Sequence, residues 1–113
     1  MLINYTLLPA DPPSFTIEPS NQTVKEFEDT VFLCNATGNP APEITWMKDE
    51  QTVTHGHTLS FSALKNDSGK YWCLAQNGIG LAINTSASLD VQCKFEDNIN
   101  MLRSHFRTCN FLN

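Results

Sequence analysis

The stretch Asp67-Ser68-Gly69-Lys70-Tyr71-Trp72-Cys73 constrains this chain more than any other. A tyrosine stands two residues before a cysteine, and an Asp-x-Gly turn stands just before the tyrosine. That order suits one corner of a β-sandwich. The turn swings the chain into a strand, and the tyrosine hydroxyl hydrogen-bonds back to backbone upstream. Side chains alternate across a strand, so directing Tyr71 and Cys73 inward directs Trp72 and Leu74 outward. Upstream, Cys34 closes the apolar run Val31-Phe32-Leu33-Cys34, and Trp46 lies within Ile44-Thr45-Trp46-Met47-Lys48. The same alternation turns Phe32, Cys34, Ile44 and Trp46 inward, and Val31, Leu33, Asn35, Thr45 and Met47 outward.

Cys34, Trp46, Tyr71 and Cys73, in that order, resemble the core of an immunoglobulin-superfamily domain of the I-set or short C2 kind, over residues 12–92. Gly38-Asn39-Pro40-Ala41-Pro42 resembles the loop before the tryptophan strand. Leu59-Ser60-Phe61 resembles the strand before the tyrosine corner, and Ala75-Gln76-Asn77-Gly78-Ile79-Gly80 the turn between the last two strands. The resemblance implies an all-β fold, a two-sheet antiparallel immunoglobulin-like sandwich. It also implies a Cys34–Cys73 disulfide packed on Trp46, with Leu59, Phe61, Asp67 and Tyr71 completing the core and its corner. Only residues 49–57 separate the tryptophan strand from the strand at Thr58–Ser62. That leaves room for a single intervening strand near Thr52–Thr54, which departs from the longer I-set pattern.

The expected organisation is a linker or tail at 1–13, the sandwich at 14–92, and a C-terminal tail at 93–113. Pro9-Ala10-Asp11-Pro12-Pro13 reads as a semi-rigid extended segment. Short edge strands are expected at Phe15–Ile17 and Gln22–Lys25. In the tail, Phe95, Ile99, Leu102 and Phe106 fall at helical spacing.

Charge excludes several partner classes. Residues 1–92 carry four Lys/Arg against ten Asp/Glu, within a net charge of −5 for the 113-residue chain. An acidic domain without a basic stripe is a poor match for nucleic acid, heparin or anionic lipid. No apolar run approaches the roughly 20 residues that span a bilayer. The four cysteines show no Cys-x-x-Cys spacing, which argues against zinc or dithiol redox chemistry. Five Asn-x-Ser/Thr sequons, at Asn4, Asn21, Asn35, Asn66 and Asn84, favour an extracellular or cell-surface location and glycosylation. No signal peptide follows Met1, so the sequence reads as a fragment or one domain of a longer ectodomain.

Catalysis is not expected. There is no Gly-x-Ser-x-Gly elbow, and nothing sets a base beside a nucleophile. His55-Gly56-His57 has no nearby Cys, Asp or Glu to complete a metal set, so no metal or cofactor is expected. What remains is a protein–protein function. Met47, Trp72 and Leu74, all outward on neighbouring strands, are the candidate interface, since Trp and Met enrich interface centres. The resemblance implies a binding module of an adhesion molecule or receptor, with a homophilic or heterophilic protein partner. The alternative is a structural spacer in a matrix or giant modular protein. Sugars on Asn35, Asn66 and Asn21 are expected to leave the Trp72 sheet freer. Asn84 counts outward on that sheet unless a bulge near Gly80 shifts the register.

Overall fold

The computed structural model describes residues 9–93. Among the described residues nine strands form in chain order: β1 (Asp11–Ile17), β2 (Gln22–Lys25), β3 (Asp29–Leu33), β4 (Asn35–Asn39), β5 (Glu43–Lys48), β6 (Gln51–His55), β7 (Thr58–Ser62), β8 (Gly69–Gln76) and β9 (Ile83–Gln92). One layer is a five-stranded sheet in the order β2-β9-β8-β5-β6. The facing layer is made of the pairs β1-β4 and β3-β7. The pairings are antiparallel except that β2 runs parallel to β9, with Val24 beside Val91.

The strand-like run that carries Cys34 divides at that residue into β3 and β4. At the division the Cys34 amide donates to the His57 carbonyl, 3.0 Å away, so the chain changes partner from β7 to β1 without stranding that amide. The first strand begins within the proline run, and Pro12 and Pro13 lie in β1. Prolines are tolerated there because β1 has a partner on one side alone among the described strands. The one intervening strand, β6, joins β5 rather than the facing layer.

The core lies between the layers. Phe32, Cys34, Ile44, Trp46, Leu59, Tyr71, Cys73, Ala75, Ala87, Leu89 and Val91 are all buried. They alternate with exposed or half-buried neighbours along β3, β8 and β9, as period-2 patterning requires. The Cys34–Cys73 disulfide crosses from one layer to the other. Phe32 packs with ring centroids 6.0 Å from Trp46 and 5.5 Å from Tyr71, and Phe61 lies 5.9 Å from Tyr71. The helical spacing in the tail, together with Asn4 and Cys109, falls outside the described residues. Cys93 is disulfide-bonded.

Candidate protein-binding face

Strand β8 carries the candidate site, and its inner side fixes its register. The Tyr71 hydroxyl donates to the Asp67 carbonyl at 2.6 Å, closing the expected corner. Asp67 ends a 3-10 turn over Lys65–Asp67, and its carboxylate accepts the Leu64 amide at 2.8 Å. Gly69 then enters β8 with φ near 143°, a backbone region that suits glycine, as the Asp-x-Gly pattern requires. Burial, reinforced by the Asp67 and then the Asp49 carboxylate, pushes the Tyr71 phenol up to about 12. Lys48 lies beside this corner. Its ammonium lies 5.3 Å from the Tyr71 ring centroid and donates to the Asn66 carbonyl at 3.3 Å. Trp46, fully buried, donates its indole N–H to the Gly56 carbonyl at 3.1 Å. Of the expected core set, Trp46, Leu59 and Tyr71 are buried, while Phe61 and Asp67 are half-buried.

With Tyr71, Cys73 and Ala75 committed inward, Trp72 and Leu74 emerge on the outer side of the five-stranded sheet. Met47 of β5 lies directly opposite Trp72, and Thr45 directly opposite Leu74. The structure therefore brings Met47, Trp72 and Leu74 together on one face. Trp72 is 39 % exposed, and Met47 and Leu74 are half-buried. Thr45, expected outward, is buried nonetheless, and its hydroxyl lies 3.3 Å from His55 Nδ1 on β6. The Lys70 ammonium stands 5.4 Å from the Trp72 ring centroid, a cation–π distance that covers one side of the indole.

Around this centre the rim is neutral and polar. Ser86 and Asn84 of β9 lie opposite Trp72 and Leu74, and Thr52 and His55 of β6 lie opposite Met47 and Thr45. Lys70 and Glu43 sit at the two ends. An apolar aromatic centre with a polar rim is the composition of a protein-contact surface. Sequence analysis placed Thr45 outward but did not bring Thr52 and His55 to this face, because which sheet β6 joins is not written in its residues. Among the described residues no group of three or more His, Cys, Asp or Glu is placed to hold a metal ion.

The four described sequons are distributed unequally. Asn66 is exposed within the 3-10 turn. Asn21 is exposed, and its side-chain oxygen accepts the Ser88 amide at 2.8 Å. Asn35 is half-buried opposite Ile17, with its side-chain oxygen on the Ala36 amide at 2.9 Å. Asn84 is exposed on the Trp72 face. The β8–β9 pairing runs without a register shift, so no bulge moves it.

Residues 12–77 match the immunoglobulin domain family. The chain is 38 % identical over 96 residues to neural cell adhesion molecule L1 of Takifugu rubripes, covering 69 % of this chain and 8 % of that protein. It is 38 % identical over 80 residues to rat neogenin, covering 63 % of this chain and 6 % of that protein. Among solved structures, that of Dpr11 IG1 bound to DIP-gamma IG+IG2 contains a similar chain, with a TM-score of 0.66 and 29 % identity, over 73 % of this chain and 48 % of that one. No helix among the described residues is long and apolar enough to cross a membrane.

Proposed function

We propose that this chain, which belongs to the immunoglobulin domain family, is an extracellular protein-binding module of a cell-surface adhesion molecule or receptor. The module runs from the start of β1 at Asp11, inside the expected linker, to the end of β9 at Gln92, with the remaining residues flanking it. The observation that carries the proposal is the pairing of Met47 with Trp72, one register step from Leu74, on an outer face whose rim is uncharged at its sides. Covering exposed apolar surface is favourable by roughly 25 cal/mol per Å². A tryptophan at an interface centre typically costs about 2 kcal/mol or more when truncated. Similarity to a neural cell adhesion molecule, and likeness to an immunoglobulin structure solved as a protein complex, support the same reading.

The test is bead aggregation and sedimentation of protein exported to a bacterial periplasm, which attaches no N-linked sugar, wild type against Trp72→Ala, with circular dichroism as the folding check. Trp72→Ala is expected to fold and to weaken partner binding or self-association at least about tenfold, the fold-change equivalent of an interface tryptophan. Normal association by a folded Trp72→Ala protein overturns the contact face and favours the spacer role. Unfolding of that variant places Trp72 in the core instead.

A further inference from the structure

We infer that Asn84 is a glycosylation site whose sugar lies over Trp72 and Leu74 and closes the binding face, so that the unglycosylated form is the binding-competent one. This rests on the contact reading above. Asn84-Thr85-Ser86 is a sequon, and Asn84 is the direct cross-strand partner of Leu74. Directly opposite side chains on an antiparallel pair have Cβ atoms about 4.5–5.5 Å apart, and diagonal ones about 7–8 Å. Trp72 is the diagonal neighbour of Asn84, since its own partner is Ser86. The first sugar ring on Asn84 therefore starts within reach of both apolar side chains.

Asn84 differs from the other described sequons in a second respect. Its carboxamide makes no hydrogen bond among the described residues, whereas the Asn21 and Asn35 side-chain oxygens are each held by a backbone amide. Thr85, alternating to the other side of β9, donates its hydroxyl to Glu18 Oε1 at 2.8 Å and leaves the outer face clear. Asn66 lies in the 3-10 turn rather than on a strand of the Trp72 sheet. The modification itself needs a lipid-linked oligosaccharyl diphosphate. The Asn84 amide nitrogen bonds to the anomeric carbon of the first N-acetylglucosamine, the carbon–oxygen bond to the diphosphate breaks, and the amide loses one proton.

The tryptophans give a readout that needs no partner. Trp46 is fully buried and Trp72 is 39 % exposed, so acrylamide quenching reports chiefly on Trp72. The protein is secreted from mammalian cells as wild type, Asn84→Gln, Asn35→Gln and Trp72→Ala/Asn84→Gln, and glycopeptide mass spectrometry measures occupancy. Asn84 is expected to be occupied. Asn84→Gln is expected to raise the quenching constant at least about twofold by returning the indole face to solvent, and to raise self-association in sedimentation. Asn35→Gln is expected to do neither. An empty Asn84, or quenching unchanged by Asn84→Gln at full occupancy, overturns the gate. Quenching that rises while association is identical in Asn84→Gln and Trp72→Ala/Asn84→Gln upholds the sugar's position but overturns the contact reading, and the gate's effect on binding with it.

Discussion

The two outer faces of this sandwich both expose apolar side chains, and by exposure alone the wrong one stands out. On the β1-β4 and β3-β7 layer, Ile17, Val31 and Leu33 are 46 %, 46 % and 49 % exposed, each more than Trp72 at 39 %. Their cross-strand partners are polar: Asn35, Ser60 and Thr58. On the five-stranded layer Trp72 faces Met47, and Leu74 follows one step along. Scattered surface apolar residues are ordinary, whereas a contiguous patch marks a site. Contiguity across strands, not exposure residue by residue, distinguishes the candidate binding face from its opposite.

That contrast is sharpened first by cutting what joins the two layers. The disulfide closes a loop with a sequence separation of 39 residues. In the chain-entropy account such a loop contributes about 4 kcal/mol. The Cys34→Ala/Cys73→Ala variant is expected to lose about that much in urea denaturation. A loss well under 1 kcal/mol would mean that the aromatic core alone holds the faces back to back.

The corner that sets the register of β8 carries less. Tyr71→Phe removes the 2.6 Å bond to the Asp67 carbonyl and is expected to cost about 1 kcal/mol, the usual net value of such a bond. It also changes the alkaline response. The Tyr71 phenol titrates near 12 in the folded protein, above the ordinary tyrosine value of 10.0. The folded state therefore holds its proton more tightly than the unfolded state. This contribution is complete below pH 10 and declines as pH rises toward 12. Denaturation midpoints are expected to fall across that window more steeply in wild type than in Tyr71→Phe. Equal slopes would show that Tyr71 is not the group responsible.

Much of this was legible in the sequence because the determining signals are local. Asp67-Ser68-Gly69 with Tyr71 encodes a turn, a hydrogen bond and an inward direction within five residues. Alternation then carries that direction to Trp72 and Leu74. Two features were not legible. Cys34 interrupts its strand because the chain must pass from β7 to β1, which depends on partners far away in sequence. The Thr45–His55 contact depends on β6 joining β5, and Gln51-Thr52-Val53-Thr54-His55 lacks the strong alternation that would choose a layer. The candidate face extends into β6, so its rim was legible only in part.

The β5–β6 hairpin widens the Trp72 face by one strand, and its turn is poorly matched to its residues. Asp49 and Glu50 have φ of 54° and 64°, the left-handed region that two-residue hairpin turns require. Glutamate adopts it at a cost of about 1 kcal/mol, which glycine avoids. Glu50→Gly is expected to raise stability by somewhat under 1 kcal/mol and to leave association unchanged. A destabilised variant would show that Glu50 contributes something beyond its turn geometry.

The smallest expected effect is the strictest check on the contrast between faces. Leu33 is more exposed than Trp72, yet it lies opposite Thr58, with Val31 beside it along its own strand alone. Leu33→Thr keeps a strand-favouring residue and sets a threonine against Thr58, a pairing that sheets accept. Its stability is expected to stay within about 0.5 kcal/mol of wild type, as for surface substitutions away from special features. In protein made without N-linked sugar its association is expected to match wild type, while Trp72→Ala loses at least about tenfold. Equal losses from the two variants would make total exposed apolar area, wherever it lies, the quantity that drives association. The opposite layer would then be as much a binding surface as the Trp72 face. A loss confined to Trp72→Ala ties recognition to the one place where apolar side chains meet across neighbouring strands.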